Sequence, residues 1–246
     1  MAANGDLKSV LTALQKGDID LEGLFQAGSN DTFLVKLSYP PEDFKARAVY
    51  KPERGETPLW DFPESTLSRR EVAAFLVSQA LGWELVPPTV YRRKGPLGPG
   101  SLQLYVDHDP EYHYFSFRPE HRARLQPVAA FDVIINNADR KGGHILLDAN
   151  DHLWLIDHGV CFHEEDKLRT VIWDFSGQPL PNHLSIDLKC LAEQLNQPGE
   201  KTTHLLSQLL SADELQALAM RINNLVTMGI YPAPHPDRRP FPWPPV

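Results

Sequence analysis

The hydrophobic periodicity of this chain changes once, near residues 106–110. Before that point, short alternating segments read as strands: Leu21 to Ala27, Thr32 to Leu37, Arg47 to Lys51, Val86 to Arg92 and Ser101 to Val106. Only two helical patterns interrupt them. Leu7, Val10, Leu11 and Leu14 recur at helical spacing, with Asp6 to cap and Gly17 to stop the turn. The second helix runs from about Leu67 to Leu81, with Ser65 or Thr66 as cap and Gly82 as stop. After the change, helices are expected near 119–126, 128–136, 186–195, 201–209 and 212–228, the last opened by a Ser211–Glu214 capping box. One hairpin is embedded among them, Ile145 to Asp148 and His152 to Ile156. The expected fold is therefore α+β and two-lobed. A strand-rich N-lobe spans 1–106 and a helical C-lobe 107–230, within one domain of 246 residues. A cleft between two such lobes is a natural ligand site. Residues 231–246 carry seven prolines and cannot form a regular helix or central strand, so they are either disordered or an extended arm packed by Phe241 and Trp243.

Composition removes several functional classes. A formal net charge of −8 lacks the basic footprint of a general nucleic-acid binder and does not suit an anionic membrane surface. The longest apolar run, Val72 to Val77, is far short of the roughly 20 residues of a membrane span. Met1 to Lys16 has no basic stretch followed by an apolar core, so no secretory leader is expected. Cys161 and Cys190 form no CxxC pair, which removes zinc fingers and disulfide frameworks and makes a cytoplasmic location the expectation. GxSxG, a Walker-type phosphate loop and HExxH are all absent. The run of His158, His163, Glu164, Glu165 and Asp166 is the one other cluster that suits a metal.

The densest polar cluster is NNADRKGGHILLDANDHLWLID, Asn136 to Asp157. Asp139 lies in a glycine-containing loop after an apolar helix, His144 just before the hairpin, and Asp157 directly after it. A tight hairpin returns the chain to its starting end, so His144 and Asp157 should lie side by side with Asp139 on the adjoining loop. Two acids and a third ligand-type side chain at one loop end suit a divalent cation bound to phosphate oxygens. Asn137 and Arg140 are expected to shape the loop, and Asp132, inside an apolar helix, to bond to loop backbone.

On these residues the chain resembles the phosphatidylinositol 3-/4-kinase-like branch of the protein-kinase-like fold, especially its small bacterial members. Asp139-Arg140 and Ile156-Asp157-His158-Gly159 match its Asp-Arg and Ile-Asp-x-Gly segments. Ala48-Val49-Tyr50-Lys51-Pro52 resembles its phosphate-binding strand, Arg70-Glu71-Val72-Ala73-Ala74 its ion-pair helix and Gly100 to Val106 its hinge. The resemblance implies an ATP-dependent phosphotransferase using Mg²⁺ or Mn²⁺. It implies Asp139 as catalytic-loop Asp and Lys51 on the phosphates, paired with Glu71. It further implies Gln103, Leu104, Tyr105 and Val106 beside adenine, and Ser29 and Asn30 in the phosphate-covering turn. Asp157 would hold the metal with His144, which stands where the family usually has Asn; imidazole suits Mn²⁺ or Zn²⁺ better than Mg²⁺. His144 is either that ligand or a loop residue bonded to backbone. The acceptor is expected to be a protein or small molecule rather than a phosphoinositide. In the segment after Asp157, ending near 181, Lys167 and Arg169 are the only basic candidates to hold head-group phosphates, behind Glu164, Glu165 and Asp166. A nucleotide-binding pseudokinase and an AMP-transferring enzyme are the alternatives on the same fold.

Overall fold

In the computed structural model, residues 6–25, 30–197 and 199–246 are described. Helix α1 (Leu7–Lys16) leads into strands β1 (Asp18–Leu24), β2 (Phe33–Tyr39) and β3 (Phe44–Pro52). Helix α2 (Leu67–Leu81) follows, then β4 (Thr89–Arg92) and β5 (Gly100–Leu104). The five strands form one antiparallel sheet in the order β1-β2-β3-β5-β4. Alternation along β3 sorts its side chains between two faces. Ala48 and Tyr50 join Val10, Ala13 and Leu14 of α1, together with Val35, Leu37 and Leu102, in one apolar cluster. Lys51 reaches the other way, toward α2.

Helix α2 is buried almost all round, because it lies between this sheet and the helical part of the molecule. Its start corrects the expected cap. Thr66 occupies the cap position, but its hydroxyl donates to Pro63 O at 2.7 Å and caps no helix N–H. Instead Glu56, from the preceding loop, accepts from Leu67 N–H at 3.2 Å and Ser68 N–H at 2.8 Å. A carboxylate there also complements the positive end of the helix dipole. Gly82 ends the helix in the left-handed conformation, φ 67°.

The second part contains α3 (Pro119–Ala123), α4 (Gln126–Ile135), β6 (Ile145–Leu147), β7 (Leu153–Leu155), α5 (Asn182–Leu195), α6 (Lys201–Ser207) and α7 (Ala212–Met228). Strands β6 and β7 pair as the expected hairpin. The Ser211–Glu214 capping box is present at the start of α7. Several boundaries move for local reasons. β4 starts only after Pro87-Pro88, since proline cannot donate to a ladder. β5 ends at Leu104, two residues before the expected limit. Helix α4 stops at Ile135 because Asn136 takes the left-handed conformation, φ 54°. The main core joins α2 to α4–α7 and the hairpin. Among the described residues, no helix is long and apolar enough to cross a membrane.

Residues 231–246 form an extended arm, but Phe241 and Trp243 do not pack it; both side chains are exposed. Its attachment is a buried Tyr231, whose hydroxyl donates to Gln126 O, and a series of carbonyl acceptors. Pro240 O accepts from Thr170 N–H at 3.0 Å and from Trp173 Nε1–H at 3.3 Å, and Pro245 O accepts from Gly142 N–H at 2.7 Å. A proline-rich segment has few N–H donors yet keeps every carbonyl, so it can strap a surface without forming a ladder.

Candidate functional site

The site is assembled where the sheet, α2 and the β6–β7 hairpin meet. Strand β3 delivers Lys51 and α2 delivers Glu71, and the two form an ion pair. Lys51 Nζ is also 2.9 Å from Asp157 Oδ1. Burial works against the lysine charge, but Asp157 and Glu71 outweigh it and raise its pKa. The ammonium in turn holds Asp157 well below the usual carboxylate range. Asp157 follows β7 with φ 62°, a left-handed conformation that is rare for a residue with a Cβ. Backbone strain of this kind persists only where neighbours over-determine it.

Those neighbours are one buried network. Arg140 is fully enclosed and holds both Asp132 carboxylate oxygens through Nε, at 3.0 and 3.1 Å. Its Nη1 donates to Ile156 O at 2.9 Å, next to Asp157. Its Nη2 donates to His158 Nε2 at 2.9 Å. His158 N–H then donates to Glu71 Oε2 at 3.0 Å. The Lys51–Glu71 pair is thus tied through His158 to the Arg140–Asp132 pair. His158 must be neutral to accept from Arg140, and burial holds its pKa well below the ordinary value. Asp132 differs from expectation: Thr170 Oγ1, Asn137 Nδ2 and Arg140 donate to its carboxylate, so it organises side chains rather than loop backbone.

Asp139 sits on the loop between α4 and the hairpin. Asn137 Oδ1 accepts its N–H at 2.9 Å, and Lys141 Nζ stands 3.2 Å from its carboxylate. Burial pushes the Asp139 carboxyl up, against the pull of Lys141. It touches neither Asp157 nor Lys51 directly among the described contacts. His144 Nε2 is 3.4 Å from Asp157 Oδ2, as the hairpin geometry requires. Burial lowers its pKa to about 4, so the ring is neutral at physiological pH. Its Nδ1 accepts from Lys141 N–H at 3.4 Å, which leaves the proton on Nε2, facing Asp157. His144 can donate a lone pair to a cation only as the opposite tautomer, which gives up that backbone bond. Asp157 needs no such change.

The remaining expected residues divide. Gln103 is buried and spends its side chain on Thr89 Oγ1 at 2.8 Å. Leu104 N–H donates to Pro88 O and Tyr105 N–H to Arg47 O. Val106 N–H has no acceptor among the described residues, while its carbonyl meets His108 Nδ1 at 2.9 Å. Of the four hinge residues, Val106 alone offers a free backbone donor to a ligand. Asn30 Oδ1 accepts from Thr57 N–H at 2.7 Å, which ties the residues just before β2 to the loop before α2. Ser29 lies outside the described residues.

The competing cluster does not converge. His163 Nε2 bonds to Asp61 O, His158 is turned toward Arg140, and among the described residues no group of three His, Cys, Asp or Glu side chains is placed to hold a cation. Lys167 is engaged by Asp61 and Glu165. One residue missed as important is Asn136. Its Nδ2 donates to His163 O and Glu165 O, at 2.9 and 2.6 Å, and its Oδ1 accepts from Lys167 N–H at 2.9 Å. The segment after Asp157 is thereby stapled to the end of α4. An asparagine directly after an apolar helix, where a left-handed cap is needed, was the available signal.

Comparison with known proteins gives the family and the fold. The family model for phosphatidylinositol 3- and 4-kinase matches residues 69–206. The Mycobacterium tuberculosis protein Rv2133c is 38% identical over 266 aligned residues, covering 94% of this chain and 93% of that protein. Phosphatidylinositol 4-kinase gamma 4 of Oryza sativa (japonica) is 36% identical over 122 residues, 42% of this chain but 22% of that protein. Among solved structures, hydra Fam20 with sugar superposes with a TM-score of 0.57 at 15% identity, covering 92% of this chain and 88% of that one. The Helicobacter pylori proinflammatory kinase CtkA superposes with 0.53 at 11% identity, covering 89% and 94%. At these identities the two structures establish the fold, which is kinase-like.

Proposed function

This chain belongs to the phosphatidylinositol 3- and 4-kinase family, and from that premise we propose that it is an ATP- and divalent-metal-dependent phosphotransferase whose acceptor is a protein or small molecule. The observation that carries this reading is Lys51, held between Glu71 of α2 and Asp157 of the hairpin. A lone lysine on a strand has many uses. A lysine gripped by one buried and one half-exposed carboxylate, where a sheet meets a helical part, supports a role on phosphate oxygens.

The roles follow from position. Lys51 orients the nucleotide phosphates, and Glu71 keeps its ammonium in place. Val106 N–H meets the base, with Gln103, Leu104 and Tyr105 shaping that edge and Asn30 steadying the turn beyond the phosphates. Asp157 is the carboxylate that would hold a divalent cation, joined by His144 if its tautomer changes. Such a cation, when bound, neutralises charge on the phosphate oxygens. Asp139 orients the acceptor hydroxyl and takes its proton. Partial burial raises its pKa, which makes it a better base than a surface carboxylate. Most of the remaining work is positioning. The short run of acids Glu164, Glu165 and Asp166, and the engagement of Lys167, favour an acceptor other than a phosphoinositide head group.

The His144–Asp157 contact also supports a second reading, a nucleotide-binding pseudokinase, because it occupies the nitrogen a cation would need. Incubation with ATP and candidate acceptors, followed by intact-mass measurement, separates these outcomes. A phosphoryl increment supports phosphotransfer, an AMP increment supports nucleotidyl transfer, and nucleotide bound without turnover supports the pseudokinase. Asp139→Asn should lower transfer by at least about 100-fold while leaving ATP affinity within about threefold. Transfer that survives this substitution would remove Asp139 from its role.

A further inference from the structure

Arg70 directly precedes Glu71 on α2, and consecutive helical residues project about 100° apart. Whatever fixes the direction of one therefore fixes that of the other. Glu71 faces Lys51 and the His158 amide. Arg70 faces the helical part and is among the largest side chains that the fold encloses completely. The chemistry proposed above makes no use of its charge. A buried guanidinium is costly unless it is paired and fully bonded.

Its partners lie on two other segments. Nη1 donates to Cys161 O at 2.7 Å, and Nη2 pairs with Glu214 in the first turn of α7. Glu214 is itself fixed by the capping box, where its Oε2 accepts from Ser211 N–H at 2.8 Å. The Phe62 ring packs on the guanidinium, 4.7 Å from its central carbon. Adjacent residues of α2 thus grip both ends of one short stretch: Glu71 accepts from His158 N–H, and Arg70 donates to Cys161 O. Backbone bonds at Val160 and Phe162 tie the same stretch to the end of α4, so Arg70 and Glu71 are what register it against α2. The stretch begins directly after Asp157, whose left-handed backbone must be held by its surroundings.

We propose that Arg70 is a positioning residue of the Lys51 site: by holding Cys161 O and Glu214 together it sets the rotation of α2 against the 158–161 stretch, and so brings Glu71 and Asp157 to one ammonium. The inference rests on the nucleotide-site reading of Lys51 given above. It also gives α7 a line to the site, because the far partner of Arg70 belongs to the α7 cap. A pair that served stability alone would be replaceable, since uncharged residues of similar volume often match a buried ion pair. A positioning arginine would not be, because such a replacement supplies no donor to Cys161 O.

Arg70→Met alone leaves Glu214 without its cation, so the test uses Arg70→Met/Glu214→Gln, in which glutamine keeps an acceptor for Ser211 N–H. Hydrogen exchange in the ligand-free chain should find the His158 amide at least about tenfold faster than in the wild type, with the β6–β7 amides unchanged. ATP affinity, measured by titration, should fall at least about tenfold in the same variant. Arg70→Lys is the second arm. It keeps a cation beside Glu214 but lacks the two-armed fork, and it should speed the His158 amide in the same sense. A His158 amide that exchanges as in the wild type, or that speeds only in step with the β6–β7 amides, would overturn the proposal and leave Arg70 a stabilising role alone. A wild-type chain that binds no ATP would instead overturn the function proposed above, since the exchange measurement needs no nucleotide.

Discussion

A single lysine illustrates how little one residue says until its neighbours are placed. Lys51 stands on an alternating strand, and alternation alone sends it away from Tyr50 and α1. The family resemblance pairs it with Glu71, 20 residues further along the chain, and the structure adds Asp157, 106 residues along, to the same ammonium. The balance there is asymmetric. Glu71 is almost fully enclosed, with 3% of its side chain exposed, while Asp157 keeps 47% in contact with solvent. Loss of the lysine therefore harms Glu71 more, because a buried carboxylate without its cation is costly. Lys51→Met should lower both thermal stability and ATP affinity, the latter by at least about tenfold. A variant that binds ATP as tightly as the wild type would contradict the assignment of Lys51 to the phosphates. The tautomer of His144 works at the same scale. Its neutral ring spans Lys141 N–H and Asp157, so under the proposed function His144 would join Asp157 on a cation only by moving its proton from Nε2 to Nδ1.

Elements matter here mainly through how they end. Helix α4 stops at a left-handed Asn136, and the side chain freed by that turn staples residues 163–167. Two contributions are separable by substitution. Asn136→Ala loses three hydrogen bonds and also strains the backbone, whereas Asn136→Gly loses the bonds alone. Chemical denaturation should find both variants destabilised by about 2–4 kcal/mol, with glycine the milder by about 1 kcal/mol. Equal or reversed costs would show that the left-handed conformation contributes nothing. This contrast also marks what was legible in sequence. Turn and hairpin rules brought Asp139, His144 and Asp157 to one loop end, and periodicity placed α2 between the residues that bound it. The cap from Glu56, the Arg140–His158–Glu71 relay and the Asn136 staple were not legible. Each joins groups 11 or more residues apart through a side chain's reach, and no local spacing encodes that.

Across the whole molecule the account makes the arm a structural strap and the cleft a nucleotide site. Carbonyls of Pro245 and Pro240 reach the loop that carries Asp139, at Gly142, and the later segment at Thr170. Removal of residues 232–246 should speed hydrogen exchange at the Thr170 and Gly142 amides by at least about tenfold and leave the β2–β3–β5 amides unchanged. Unchanged exchange at both loop amides would mean that the arm does not hold them. The cleft, in contrast, depends on contacts between the sheet, α2 and the hairpin, none of which the arm supplies. Its test is thermal unfolding with ATP, in Mg²⁺ and separately in Mn²⁺, for the wild type and for Asp157→Asn. A ligand at about 100 times its dissociation constant adds roughly 2.7 kcal/mol, a shift of order 5–10 °C for a chain of this size. The account predicts a metal-dependent rise in the wild type that Asp157→Asn abolishes. No shift with either metal, or a shift that the substitution leaves intact, would contradict it.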